Sequence, residues 1–378
     1  GWLLQTLWKM SEGYLPQGIV IDNGGGLIKA GFSGEHHPKA IFPTIIGHPK
    51  QNIKAETLVG SGAQSKRGIL NISSPIHHGV IYNWDDMEAI WHHTFFNELR
   101  INPNERPVLI TEPPLNPNQN KLKMAEILFE KFNVKGLYIS IGAVLALYAT
   151  GRTTGVVFDS GDGVSHTIPI YEGYALPHAV FRLDLAGDDL TDYLMKILNK
   201  RLQQTGQKQF SSDTHKDIIR DIKERFCYAA KDYDQEMQRA SASNELEVEY
   251  TLPDGNNITL GNERFRTAEV LFKPSFISME SPGVHEIIFL TIKKCDSDLR
   301  KTLYSNIVLC GGSTMYPGIS PRLKKELKAL VPTNVDVIIS SPPERKYSIW
   351  NGGSIYSNLN SFNQLWITQK EYKEFGAD

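Results

Sequence analysis

Ile19-Val20-Ile21-Asp22-Asn23-Gly24-Gly25-Gly26 is a short apolar strand that runs into a glycine-rich turn opening on an aspartate, and Val156-Val157-Phe158-Asp159-Ser160-Gly161-Asp162-Gly163 repeats the plan. A β-type run follows each turn, Leu27 to Phe32 and Val164 to Tyr171, so the glycines read as hairpin tips. Glycine lets backbone N–H groups face an anion at close range without a Cβ in the way. A carboxylate beside phosphate oxygens is repelled unless a cation stands between them, so the paired aspartates imply a hydrated Mg²⁺. Lys29 is placed to reach back as a point charge. Either hairpin alone is an ordinary turn; the repetition is what points to two related half-molecules serving one phosphate group. No G-x-x-x-x-G-K-S/T is present and neither turn opens a helix, which sets aside the P-loop and the dinucleotide fingerprint.

The 378 residues favour two or more domains, because single cores stop growing at roughly 250 to 300 residues. A formal net charge of −2 gives no electrostatic reason to expect direct nucleic-acid binding. The three cysteines, Cys227, Cys295 and Cys310, are too few and too scattered for a disulfide framework and read as buried thiols of a reducing compartment. No apolar run approaches the ~20 residues of a membrane span. Leu3, Leu4, Leu7 and Trp8 would share a helical face, the pattern of a segment that docks into a partner's groove, with a tail of no structural role as the other reading.

Strand-rich and helical segments alternate, which is an α/β pattern. Helical periodicity runs over Asp85 to Leu99, Asn118 to Phe132, Ala186 to Arg201, Asp213 to Tyr233 and Ser320 to Leu330. A third glycine turn, Cys310-Gly311-Gly312-Ser313-Thr314-Met315-Tyr316-Pro317-Gly318, follows the strand Ile307-Val308-Leu309 and precedes a helix, making a plausible nucleoside corner.

Two aspartate hairpins and this corner are the signature of the actin, Hsp70 and sugar-kinase type of two-lobed ATPase fold. Within that superfamily the chain resembles actin over nearly its full length. The resemblance is carried by Lys29-Ala30-Gly31-Phe32, Gln64-Ser65-Lys66-Arg67-Gly68-Ile69-Leu70, Asn83-Trp84-Asp85-Asp86-Met87-Glu88, Trp91-His92-His93-Thr94-Phe95, Gly151-Arg152-Thr153-Thr154-Gly155, Pro169-Ile170-Tyr171-Glu172-Gly173-Tyr174-Ala175-Leu176-Pro177-His178 and Pro342-Pro343-Glu344-Arg345-Lys346-Tyr347. It implies four subdomains and a central cleft for ATP or ADP with Mg²⁺ or Ca²⁺. The corresponding division is an N-terminal extension over 1–17, a first lobe over 18–148, a second over 149–350 and a return to the first over 351–378. By position, Asp22, Gly24, Gly25, Gly26 and Lys29 would meet the phosphates from one lobe, and Asp159, Gly161, Asp162 and Gly163 from the other. Asp22 and Asp159 would hold the metal, mainly through water. Gly187, Arg220, Lys223, Glu224, Gly312, Met315, Lys346 and Tyr347 would surround the nucleoside.

The chain departs from the family at positions that matter. Gly142 stands where actin carries a glutamine that orients the attacking water, while His166, also near that water in the family, is retained. Gly25 replaces a serine, removing a hydroxyl donor toward the terminal phosphate. Phosphoryl transfer rests on positioning and electrostatics, so hydrolysis is expected to slow by about 10² or more. The segment from Pro49 to Gly60 is shorter than the family's inter-subunit loop, although the plug-like Pro274-Ser275-Phe276-Ile277-Ser278-Met279-Glu280-Ser281 is kept. The groove that would take actin-binding proteins retains Tyr148, Thr153 and Ile355 but carries Asn351 and Tyr356 at positions usually aliphatic.

Two functions follow from the resemblance. One is an actin-like ATP-binding cytoskeletal protein with weakened hydrolysis and altered filament contacts, its partners being actin-like protomers in the cytoplasm. The other is a non-polymerising subunit of a larger dynein-associated, axonemal or chromatin-associated complex, in which ATP is structural.

Overall fold

The computed structural model describes residues 15–51 and 53–376. The amphipathic reading of Leu3, Leu4, Leu7 and Trp8 lies outside the described residues. The chain divides into two compact units, one formed by residues 1–153 with 347–378, the other by 154–346.

In the first unit, Ile19–Asn23 and Leu27–Phe32 pair antiparallel, with Asp22 opposite Lys29. The apolar alternation that buries Ile19, Val20 and Ile21 makes this hairpin the centre of a six-stranded sheet. Pro107–Glu112 joins Ile19–Asn23 in parallel and Gly136–Ile141 extends the parallel run. Ala40–Pro43 and Ile367–Thr368 close the two edges antiparallel. A smaller sheet orders Leu58–Val59, Ile46–Pro49 and Leu70–Ser73. The segment from Pro49 to Gly60 therefore leaves the middle strand and returns beside it, Ile46 facing Val59.

The second unit repeats the plan. Gly155–Ser160 and Ser165–Tyr171 form the hairpin, with Asp159 opposite His166. Ile307–Cys310 joins in parallel and Ile339–Ser340 follows it. The same hairpin-plus-parallel-strand unit thus carries both aspartate turns, and in each case the strands are apolar on both faces because helices cover the sheet.

The helical periodicities hold, with two qualifications. Asp85 to Leu99 and Asn118 to Phe132 are each an α-helix, Trp84–His92 and Asn118–Glu126, that widens into a π-helical stretch, His93–Leu99 and Ile127–Lys131. The run from Asp213 to Tyr233 is not one helix. It spans Ser212–Phe226, stops, and resumes as Tyr233–Ala242. The break is made by tertiary partners: Tyr228 N–H donates to the Arg264 carbonyl at 3.1 Å, Ala229 N–H to Pro317 at 2.8 Å, and the Ala230 carbonyl accepts from Arg322 at 2.9 Å. Periodicity alone cannot register partners supplied by distant segments. Gly187–Gln204 and Ile319–Leu330 lie where the pattern put them.

Candidate functional site

Each unit carries its own glycine turn, and each turn is fixed by a different set of groups. In the first unit Asp22 is 4% exposed. Its carboxylate takes the Lys29 ammonium at 2.9 Å and the Thr111 hydroxyl at 3.2 Å. That same Thr111 Oγ1 accepts the Asn23 N–H at 2.8 Å, so the neighbouring strand sets both the carboxylate and the start of the turn. Thr44 donates to the Gly24 carbonyl at 2.6 Å and the Trp91 indole to Asn23 Oδ1 at 3.1 Å. The carbonyls and side chains of the turn are thereby tied from behind. A Cβ at Gly24 would meet the Leu27 carbonyl oxygen at 2.5 Å, so only glycine fits there. A Cβ at Gly25 would meet nothing closer than Ile76 at 3.5 Å; glycine at 25 is not forced by packing. Lys29 was legible from spacing. Thr111 was not, although a hydroxyl in the otherwise apolar Pro107-Val108-Leu109-Ile110-Thr111 run is a signal of its own.

Gly142 is the first residue of the helix Gly142–Tyr148, directly after the strand Gly136–Ile141. A Cβ there would lie 3.1 Å from Ile349 Cδ1 and 3.3 Å from its Cγ2. Ile349 thus packs over the place a side chain at 142 would leave from, putting an apolar group where a longer polar side chain would need room. Tyr347 immediately precedes the helix Ser348–Ser357 that carries Ile349.

In the second unit the turn after Asp159 is assembled from three segments. The Gly161 carbonyl accepts from Gly187 N–H at 3.1 Å and from Ser313 Oγ at 2.6 Å. Asp188 N–H donates to the Asp162 carbonyl at 2.8 Å. Gly311, at φ +91°, sits so close that a Cβ would fall 2.2 Å from the Ser160 carbonyl oxygen and 2.8 Å from Asp159 Oδ1. The backbone there adopts the left-handed region, which glycine enters without strain. The Lys223 ammonium is buried and donates to the Gly187 carbonyl at 2.6 Å, its pKa lowered by burial. Lys346 lies 3.8 Å from Glu224. Gly161, Asp162, Gly187, Arg220 and Lys223 are thus brought around one turn, Gly312 lies between Gly311 and Ser313, which touch it, Met315 is exposed, and Glu224 and Lys346 are paired.

Among the described residues of this unit, Arg220 Nε, Tyr316 OH and His285 Nδ1 are buried side-chain atoms with no hydrogen-bond partner. Orphaned donors and backbone cradles are what an oxygen- and nitrogen-rich ligand would complete. Tyr316, adjacent to Met315, and Ser313 lie in the third glycine turn, but the motif reading gave neither a role of its own.

His166 is 5% exposed, and its pKa is lowered to about 4, first by burial and then by the Arg182 guanidinium. The ring is therefore neutral near pH 7 and able to accept a hydrogen bond. Of the residues the resemblance assigns to a groove, the Tyr148 and Tyr356 rings lie 4.9 Å apart, Ile355 is 53% exposed, and Asn351 Oδ1 is buried without a partner. No described helix is long and apolar enough to cross a membrane.

The paired hairpins, the shared sheet plan and the third glycine corner agree with a comparison of the sequence against known protein families: the family model described as Actin matches residues 16–378, essentially the whole chain. The chain belongs to the actin family, with its two-lobed α/β fold.

Proposed function

We propose that this chain is an actin-like cytoskeletal protein of the cytoplasm that binds ATP or ADP with Mg²⁺ or Ca²⁺ and hydrolyses ATP slowly. Gly24, Gly25, Gly26 and Lys29 would meet phosphate oxygens, as would Gly161, Asp162 and Gly163. Asp22 and Asp159 would hold the cation through its water shell, and the bound cation would neutralise phosphate charge. Gly187, Arg220, Lys223, Glu224, Gly312, Met315, Lys346 and Tyr347 would take the nucleoside, with Tyr316 added from its orphaned hydroxyl. His166, neutral, is the remaining group suited to accept a hydrogen bond from a water in the reaction.

The observation that carries slow hydrolysis is Gly142 with Ile349 packed over it. Helix start 142 offers no side chain to orient a water, and the apolar neighbour occupies the approach. A second reading, a non-polymerising subunit that keeps ATP structurally, is favoured by the short connection between Ile46–Pro49 and Leu58–Val59, which spans little distance for a contact with another subunit.

The test is to load the purified protein with ATP, add polymerising salt, and follow pelleting and phosphate release together. Pelleting with slow phosphate release is the expected result. Soluble protein that retains intact ATP would move the assignment to the second reading, and phosphate release at an ordinary actin-like rate would sink the role given to Gly142. Gly142→Gln with Ile349→Val is expected to release phosphate faster than Gly142→Gln alone, because the single change meets Ile349.

A further inference from the structure

The helix Ser212–Phe226 presents Lys216, Arg220 and Lys223 at spacings of four and three, which align them on one face. All three address the segment Gly187, Asp188, Asp192 and the glycine turn at Asp162. They do so unequally. Lys216 is fixed by two carboxylates, Asp188 Oδ1 at 2.8 Å and Asp192 Oδ1 at 2.9 Å. Lys223 is fixed by the Gly187 carbonyl at 2.6 Å. Arg220 between them reaches only 3.8 Å from Asp188 Oδ1 and 4.0 Å from Asp162 Oδ1, and its Nε has no partner. At such distances attraction is retained but hydrogen bonds are not made.

The cause is visible in the shared atom. Asp188 Oδ1, the oxygen nearest Arg220, is already bonded to Lys216. A carboxylate oxygen engaged by an ammonium at 2.8 Å exerts a weaker pull on a second cation, so the guanidinium is left suspended between Asp188 and Asp162 with donors unspent. We infer that Asp188 and Lys216 are positioning residues that hold Arg220 poised beside the Asp162 turn, and so set how long nucleotide is retained. This rests on the nucleotide-binding reading proposed above.

The two residues would act in opposite senses with one result. Without the Asp188 charge, Asp162 is the carboxylate left within 4.0 Å of Arg220 among the described residues; the guanidinium closes on it and uses up its donors there. Without the Lys216 charge, Asp188 Oδ1 becomes free, Arg220 closes on that instead, and the negative charge of Asp162 is left facing phosphate oxygens. Either way nucleotide leaves sooner.

The experiment loads the full chain with fluorescent ethenoadenosine triphosphate and Mg²⁺, chases with excess ATP, and follows release for wild type, Asp188→Asn, Lys216→Met and Lys216→Arg. Release about tenfold faster in Asp188→Asn and Lys216→Met is expected, with Lys216→Arg close to wild type and thermal melting of all four alike. The gap should narrow at high salt as the charges are screened. Wild type that binds while both variants release at its rate overturns the positioning role alone. Wild type that retains no ethenoadenosine nucleotide overturns the nucleotide-binding reading and this inference with it. Faster release accompanied by a matching fall in melting temperature, unrescued in Lys216→Arg, would mean a purely structural role and also overturns it.

Discussion

His166 carries a charge decision that can be read out as stability. Its ordinary pKa of 6.5 falls to about 4 in the folded chain, first because burial penalises the cation and second because Arg182 repels it, with Asp184 opposing. A depressed histidine pKa means that the unfolded chain binds the proton first. The contribution is therefore fully present above pH ~6.5, is lost progressively as pH falls toward ~4, and amounts at most to about 3 kcal/mol. Denaturant unfolding of wild type and His166→Gln between pH 7 and pH 4 would test this. The wild type should lose more stability across that window than the variant, and parallel pH curves would remove His166 from the account. Much of this residue scale was legible in the sequence. Asp22, Lys29, Asp159 and the glycines are local signals, set by spacing within one hairpin. Thr111 and Ile349 were not, because each acts through a contact made by a different segment.

At the scale of elements, the decisive contact of the first unit is helix against helix. Gly142–Tyr148 and Ser348–Ser357 approach so closely that a Cβ at Gly352 would fall 1.8 Å from the Leu145 carbonyl oxygen, and one at Gly353 would fall 2.8 Å from Val20 Cγ1. Asn351-Gly352 and Gly352-Gly353 are dipeptides that ordinarily mark a turn. Here they lie inside a helix, because the missing side chain at 352 lets its backbone meet the Leu145 backbone and the missing one at 353 leaves room for Val20. Gly352→Ala is expected to destabilise the protein by about 3 kcal/mol or more, since the atoms its Cβ would meet, the Leu145 carbonyl and Cα, are backbone and cannot rotate away. A denaturation midpoint within error of wild type would refute this; failure of the variant to accumulate in soluble form while Ser361→Ala does would agree with it. The same physics explains the one misjudged helix. Apolar spacing through Asp213 to Tyr233 was real, but Arg264, Pro317 and Arg322 drew the backbone of Tyr228 to Ala230 out of helical pairing.

At the scale of the whole chain, the two units are built differently in sequence. Every buried residue of the large core around Phe158, Leu194, Ile288 and Leu309 comes from within 154–346. The first unit has two cores: the larger, around Ile21, Trp91, Phe95 and Leu128, draws all its buried members from 19–137, whereas a smaller one joins Val20, Leu109 and Leu145 to Trp350, Phe362 and Trp366, where the fully buried Trp350 donates its indole N–H to the Val20 carbonyl at 3.0 Å. The repeated hairpin plan could be read from the sequence because each copy is local. The closure of the first unit by its last helices had no such local mark, since a tryptophan paired to a carbonyl 330 residues away leaves no periodicity. A consequence follows for fragments. Residues 154–346 expressed alone should melt cooperatively, because their core loses none of its members, whereas 1–153 alone, which keeps its larger core but loses Trp350, Phe362 and Trp366 from the smaller, should melt at a lower temperature than with 347–378 present. Adding 347–378 to the 1–153 fragment, fused or as a separate chain, should raise that melting temperature by filling the Trp350 and Phe362 sites. Circular dichroism melts of the three preparations decide the matter: a 1–153 fragment that melts at the same temperature with and without 347–378 would show that Val20, Leu109 and Leu145 are held without Trp350, and the first unit would then not depend on the returning segment.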